Sequence, residues 1–468
     1  MTLQPTHNVP LVELDRQSFL HPYTALADHH EGGVRVITEG QGVWLTDLDG
    51  VRYIDAAAGL WCVNIGYGRR EVADAIYAQA KKLPFFHAFS SMGTEPSIRL
   101  ADRLTRLAPE GLSRVFFGNS GSDANDTNVK LVWYYNYLRG QPEKLKIISR
   151  KGGYHGVTVA AGSLTGIEVV HKGFNLPIKE VRHTTCPDLY RGKPTGMSER
   201  DYSRQLAAEL EDMIQAEGPE TCAAFIAEPV MGTGGVHIPP EGYFEEIQAV
   251  LDRHDMLMIA DEVICGFGRL GSWFGSYLYN IRPDIMTIAK GLTSAYMPMS
   301  ASLIHERIWQ VMLERSRDMG VFGHGFTYSA HPIAAAAAMA NLDIIEGEDL
   351  VGNAERTGGY FQRRMRETFA DHPLVGDIRG EGLMMGVELV ADKARKTPLA
   401  PAHRVPLRVM KAALAEGLIL RGLPGGNTIA FSPPLVISEG EIDQVIERFA
   451  KVLAGMVETF RAEGIWRG

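Results

Sequence analysis

The sequence predicts an α/β fold: a mostly parallel sheet covered by helices, with a smaller α+β region beyond it. Two observations carry that reading. Short apolar runs alternate with longer amphipathic patterns through the middle of the chain, the mark of successive strand–helix–strand units. After His331-Pro332 the texture changes, and an alanine-rich stretch resembling a long buried helix gives way to a mixture of strand-like and helix-like segments.

The elements follow in order. Val115-Phe116-Phe117 and Leu145-Lys146-Ile147-Ile148 are of strand length, and Asp123 to Tyr135 between them carries helical spacing. Ala223 to Ala227, Met256 to Ala260, Ile285 to Ala289 and Ser300 to Ile304 continue the strand series. Most of these runs are apolar along their length, as strands covered on both faces must be. Tyr243 to Asp255 puts Phe244, Ile247 and Leu251 on one face, as a covering helix does. Beyond the alanine run, Gly382 to Leu389 and Leu418 to Arg421 read as strands. Ser438 with Glu441 forms a capping box ahead of Ile442, Val445, Ile446, Phe449 and Val452. Arg191 to Arg200 is polar and turn-rich and is expected at the surface.

Composition narrows the function classes. With 468 residues, 45% hydrophobic and 22% charged, the chain reads as an ordinary soluble protein with a large core. The net charge is −9 and no block of like charge forms a basic stripe, so nucleic acid is not an expected partner. Met1 to Asp15 contains Glu13 and Asp15 and lacks a basic cluster followed by an apolar stretch, so it does not read as a secretory signal. The most apolar stretch, Ile333 to Ala340, is too short to span a bilayer, and no membrane partner is expected. Cys62, Cys186, Cys222 and Cys265 lie far apart, which argues against a disulfide framework and a zinc site and fits a reducing cytoplasm.

The chemistry is concentrated at the ends of apolar runs. Met258-Ile259-Ala260-Asp261-Glu262 ends in an acidic pair, and Lys290 follows Asp261 by 29 residues at the end of the Asp284 to Ala289 run. If both runs are strands of one parallel sheet, Asp261 and Lys290 emerge in one crevice at its carboxyl edge. Pyridoxal phosphate needs such a pair, a lysine for its Schiff base and an acid that keeps its pyridine nitrogen protonated. On these two residues alone, a structural ion pair beside a solvated lysine accounts for the pattern equally well.

Four further motifs add to it. Phe116 to Ala124 runs from a strand through a Gly/Ser turn into a helix, and Gly121 and Ser122 there suit the cradling of a phosphate. Lys151-Gly152-Gly153-Tyr154-His155-Gly156 sets an aromatic ring between glycines, where it can stack on a flat cofactor, although an incidental surface tyrosine fits as well. Pro229 stops a strand and leaves Glu228 able to face the crevice, without a histidine cluster at metal-ligand spacing. Arg421 ends an apolar strand and suits bidentate recognition of a carboxylate.

Leu257 to Arg269, followed by Pro283-Asp284 and the Lys290 run, resembles the cofactor attachment signature of class III aminotransferases. Gly118 to Asp126, Gly153 to Gly156, Glu228-Pro229, Gly323 to Ser329 and Arg421 fall where that family has its other motifs. The resemblance implies the fold-type I architecture of pyridoxal 5'-phosphate enzymes. A large cofactor domain would span residues 66–332, and a small α+β domain would be built from both chain ends, residues 1–65 and 333–468. It also implies a homodimer, with tetramers left open, whose active sites lie at the subunit interface.

Carried over residue by residue, the resemblance makes Lys290 the Schiff-base lysine and Asp261 the partner of the pyridine nitrogen. Val263 would pack one face of the ring and Tyr154 the other. Gly121 and Ser122 would hold the phosphate together with Thr327 of the neighbouring subunit. His155 and Glu228 complete the cofactor set, His155 as a support and not as the proton carrier. Asp123 stands where many relatives have glutamate, which bears on the geometry of the phosphate loop. Ala58 to Asn64 and His21-Pro22-Tyr23 resemble the ω-transaminase branch, which moves an amino group from a primary amine or ω-amino acid to a keto acid such as pyruvate in a ping-pong cycle. Tyr23, Leu60, Trp61, Phe89, Tyr154 and Phe326 would wall the substrate pocket, and Arg421 would hold the acceptor's carboxylate. The alternatives are the biotin-pathway transaminase that uses adenosylmethionine and a non-catalytic scaffold of the same fold.

Overall fold

The computed structural model describes residues 10–424 and 426–466. Most of the Met1 to Asp15 start, which does not read as a secretory signal, lies outside the described residues. At the centre is a seven-stranded sheet in the order Leu112–Gly118, Ser300–His305, Ile285–Ile288, Leu257–Asp261, Cys222–Ala227, Lys146–Arg150, Val181–Thr184. Only Ser300–His305 runs against the rest, pairing antiparallel with both of its neighbours.

Alternation along the strands explains why they read as apolar throughout. Phe225, Met258, Ala260 and Met286 face one layer of the core, while Ala224, Ile226, Leu257, Ile259 and Ile285 face the other. Helix Gly121–Leu138 lies against one face, contacting the strands Ser300–His305 and Ile285–Ile288. Pro332–Gly347, begun by His331 and Pro332, packs against Arg70–Lys82 and Glu95–Leu107, and its alanines allow close approach. Among the described residues no helix is long and apolar enough to cross a membrane, and the four cysteines are free.

Two smaller sheets stand beside the large one. Ile37–Gln41, Trp44–Asp47 and Arg52–Asp55 form the first, and Leu418–Ile419, from far along the chain, pairs in parallel with Ile54 and Asp55. Val375–Glu381, Met384–Asp392, Thr428–Phe431 and Arg421–Gly422 form the second. The expected strand Leu418 to Arg421 is thus two short strands. Leu418–Ile419 serves one sheet and Arg421–Gly422 the other, with Leu420 as the corner. The strand expected from Gly382 begins at Met384, because Gly382 sits at φ +51° against the backbone of Leu270, where a side chain would collide. The helix expected to run to Asp255 ends at Arg253, and Asp255 itself takes φ +49° in the turn that follows. The capping box at Ser438 and Glu441 opens helix Glu439–Ala462 as expected.

The loops after Lys146–Arg150 and Cys222–Ala227 touch backbone to backbone. Within the first of these segments, Gly152 N donates to Gly166 O at 2.8 Å, and Gly166 N returns a bond to Gly153 O at 2.8 Å. A Cβ on Gly234 would lie 2.0 Å from Gly152 O. Gly234→Ala is therefore expected to force these loops apart and to cost ~1–3 kcal/mol as an overpacked site. A lowered thermal unfolding midpoint checks this, and an unchanged midpoint would mean that the contact is dispensable.

Candidate active site

Adjacent parallel strands end in one place. Ile285–Ile288, Leu257–Asp261, Cys222–Ala227 and Lys146–Arg150 bring Lys290, Asp261, Glu228 and the loop from Lys151 to Gly156 to the carboxyl edge of the sheet. There they enclose a cavity of about 340 Å³. Of the residues singled out from the sequence, all but Thr327, Phe89 and Phe326 line it, joined by Pro22, Gly156, Thr233, Ile264 and Ala289.

Asp261 is 2% exposed, and a carboxylate buried so far needs donors. Asn125 Nδ2 donates to its Oδ2 at 2.8 Å, Val263 N to its Oδ1 at 3.1 Å, and His155 Nδ1 lies 2.8 Å from Oδ2. An ionised carboxylate only accepts, so His155 carries its proton on Nδ1. Its buried Nε2 is left without a partner. Asn125 is itself fixed: its Nδ2 also donates to His155 O at 2.7 Å, and its Oδ1 accepts from Thr287 Oγ1 at 2.7 Å. Thr287 in turn accepts from Asn128 Nδ2 at 2.7 Å. The sequence reading does not single out Asn125, Asn128 or Thr287. Their signal is nonetheless present, as polar residues on the sheet-facing side of a helix and within the Ile285–Ile288 strand, where apolar ones belong.

Lys290 follows its strand with φ +45°, an uncommon conformation for a side-chain-bearing residue. Burial pushes its ammonium below the usual lysine range and Arg421 adds to this, against the pull of Cys62, Asp261 and Glu228. Burial likewise lowers Arg421, which forms no ion pair with a carboxylate among the described residues and has a buried Nε without a partner. Glu228 is buried, which raises its carboxyl. Its two oxygens accept from Tyr154 N at 3.0 Å and Gly232 N at 2.8 Å, so it clamps the tyrosine loop. The Tyr154 hydroxyl, raised by burial and then by Tyr23, stands 3.5 Å from the Tyr23 hydroxyl.

The start of helix Gly121–Leu138 faces the same cavity. Ser120 Oγ accepts from Asp123 N at 3.1 Å and Asp123 accepts from Ser120 N at 3.0 Å, so the shorter aspartate still closes a capping box. The first N–H groups of the helix have no partner in the helix itself. Ser122 Oγ accepts from Val157 N at 3.1 Å, which leaves its proton free for an anion. A Cβ on Gly121 would meet Val263 at 3.1 Å, so the glycine permits the close contact there.

Phe89 and Phe326 do not wall this cavity within one chain. Phe326 packs on Phe116 and His324, and the Phe89 ring lies against Gly325. Thr327 is exposed, next to Tyr328, which is also exposed. Two aromatic-rich segments far apart in sequence thus come together at the surface, a pairing that local pattern cannot reveal.

Residues 26–453 match the profile of class III aminotransferases. The chain is a class III aminotransferase. This aminotransferase is 48% identical to the diaminobutyrate–2-oxoglutarate transaminase of Halomonas elongata, covering 98% of this chain and 99% of the relative. It is 43% identical to the putrescine–pyruvate aminotransferase of Pseudomonas aeruginosa, covering 94% and 95%. A crystal structure of an omega transaminase from Pseudomonas jessenii in complex with PMP superposes with a TM-score of 0.94 at 46% identity, covering 96% and 98%.

Class III aminotransferases use pyridoxal 5'-phosphate. The cavity of this aminotransferase suits that group. It offers a helix start with a free hydroxyl for the phosphate, a buried carboxylate for the ring nitrogen, a lysine within the lining, and an unpartnered His155 Nε2.

The Asn125 network generates a pH prediction. Asn125→Asp places a second carboxylate about 3 Å from that of Asp261, and two such groups cannot both ionise cheaply. One pKa is raised above its unfolded value, so the variant loses stability as pH rises through that value. Unfolding midpoints relative to the unsubstituted enzyme are expected to fall further at about pH 8 than at about pH 5. A pH-independent difference would show that the repulsion is relieved elsewhere.

Proposed function

We propose that this aminotransferase moves an amino group from a primary amine or ω-amino acid to a keto acid with a single carboxylate, pyruvate being the fitting acceptor. Arg421 carries this reading. It is the lone guanidinium in the cavity lining, it has no carboxylate partner among the described residues, and it faces a wall that includes Leu60, Trp61, Val263 and Ile264. One such cation anchors one carboxylate, while the apolar wall accepts a donor that has none. The putrescine–pyruvate relative has a name that pairs such a donor with such an acceptor. A dicarboxylate acceptor, as named for the Halomonas relative, calls for a second cation that the lining does not supply beside Lys290. Adenosylmethionine calls for a free acid, and the lining carboxylates Asp261 and Glu228 are already engaged.

Bound pyridoxal phosphate supplies an aldehyde that takes up the amino group and a ring that draws electrons from the substrate carbon. The protein's share is to place and move protons. Lys290 would be the covalent anchor, and its Nζ, held below the usual lysine range by burial, would take the proton from the donor carbon and, in the second half-reaction, supply one to the acceptor carbon. Asp261 would hold the ring nitrogen in its protonated form, and the Asn125 and Val263 bonds keep the carboxylate aimed. His155 braces Asp261, Tyr154 and Val263 would pack against the ring, and Gly121 and Ser122 would hold the phosphate. Glu228 holds the Tyr154 loop, and Tyr23, Leu60 and Trp61 bind the apolar part of the substrate. In a homodimer, Thr327, Phe89 and Phe326 complete the partner's site, which accounts for the exposure of Thr327 and Phe89 in a single chain.

Arg421→Ala is expected to raise KM for pyruvate by about 30-fold or more, the equivalent of ~2–5 kcal/mol for a desolvated charge contact, while KM for an apolar amine such as 1-phenylethylamine changes little. Steady-state kinetics with both substrates read this directly, and equal losses would assign Arg421 a structural role. Lys290→Ala and Thr327→Ala chains are each expected to be impaired alone, and mixing them under subunit exchange should restore one complete site per heterodimer. Activity of the mixture no higher than its components would place Thr327 in its own chain's site.

A further inference from the structure

Helices Leu11–Ser18 and Leu26–Gly32 bring together three side chains that the transamination does not use. Asp15 comes from the first helix, His29 from the second and His21 from the segment between them, and one ligand atom of each lies within 4.8 Å of the other two. Asp15 Oδ1 is 2.6 Å from His21 Nε2, and Asp15 Oδ2 is 2.9 Å from His29 Nε2. The first contact is a hydrogen bond. The second is close but not aligned as one, and both its atoms are buried without a hydrogen-bond partner. The two imidazoles stand 4.3 Å apart, and Phe19 covers His21 at 4.2 Å. The three side chains are only 10–20% exposed.

Two unsatisfied polar atoms facing each other, with a second imidazole alongside, are what a cation would satisfy. Two imidazole nitrogens and a carboxylate suit a divalent transition ion better than calcium or magnesium, which prefer oxygen. We propose that Asp15, His21 and His29 form a binding site for a divalent transition-metal ion of the zinc type, with a remaining position open to water. Each imidazole binds through Nε2 as a neutral ring with its proton on Nδ1, so the hydrogen between His21 Nε2 and Asp15 moves to Nδ1 or is released to solvent as the ion enters. Sub-ångström side-chain shifts bring the three atoms to the ~2.0–2.2 Å that zinc takes with nitrogen and oxygen.

The position gives the ion a role. His21 directly precedes Pro22 and Tyr23, which line the cavity, and Tyr23 holds φ +50° with its hydroxyl near Tyr154. An ion bound here ties both helices to that segment and fixes Tyr23. The helices also have a link of their own, from Arg16 to Glu31 O at 3.3 Å, so removing one ligand leaves the pair connected.

The test uses tag-free holoenzyme stripped with a chelator and titrated calorimetrically with zinc chloride, beside His29→Ala and the isosteric Asp15→Asn. The chain has 15 histidines, so the difference between proteins is what counts. The unsubstituted enzyme is expected to bind one more ion per chain than either variant, or to bind it at least about tenfold more tightly. Zinc should also slow amide exchange across residues 19–30 in the unsubstituted enzyme alone. Circular dichroism of the zinc-free proteins confirms that the variants are folded. No zinc uptake by the unsubstituted enzyme, or equal stoichiometry and affinity in all three, overturns the proposal.

Discussion

A negative charge at the end of a buried strand is the constraint around which this site is organised. Asp261 has almost no contact with water, so its charge is tolerable only because Asn125, Val263 and His155 surround it with donors. Those donors must themselves be held. Asn125 is held by Thr287 across the sheet and by the His155 carbonyl, and so the helix, two strands and the tyrosine loop are tied to one carboxylate. Glu228 repeats the device one strand over, with backbone N–H groups as its donors. The sheet thus supplies rigidity, and the loops at its carboxyl edge supply the chemistry.

The central strands are legible in the sequence because both of their faces are buried, so apolar character persists along each run and stops where the chain leaves the sheet. The same logic places Asp261 and Lys290 together, since parallel neighbours end at the same edge. What local pattern cannot carry is anything dependent on distant pairing. The parallel partner of Leu418–Ile419 is Arg52–Asp55, more than 350 residues earlier, and nothing in a two-residue run announces it. The Asn125–Thr287 network is hidden for a related reason, because two polar residues inside apolar elements look like local defects until the fold makes them neighbours. Phe89 and Phe326 are a third case, since the Phe89 ring meets Gly325 across more than 230 residues of sequence.

The apolar side of the cavity rests on equally specific support from the early chain. Asp55 accepts from Ala57 N at 2.9 Å, Gly59 N at 2.6 Å and the Tyr67 hydroxyl at 2.6 Å. These bonds hold a sharp turn in which Ala58 and Trp61 both take positive φ and Trp61 is buried in the cavity lining. Arg269, buried and lowered to about 10 by that burial, donates to Asn64 Oδ1 and to the carbonyls of Leu383 and Pro433. One guanidinium thereby joins three distant stretches of sequence behind the active site.

The corner at Leu420 bears on how fast the cavity can adapt. Because Leu418–Ile419 is paired to one sheet and Arg421–Gly422 to another, the backbone on both sides of the corner is held by ladder hydrogen bonds. Arg421 can therefore move by turning its own side chain, with no displacement of the segment that carries it. A pocket arranged in this way can present a charged or an apolar face without waiting for its walls to move.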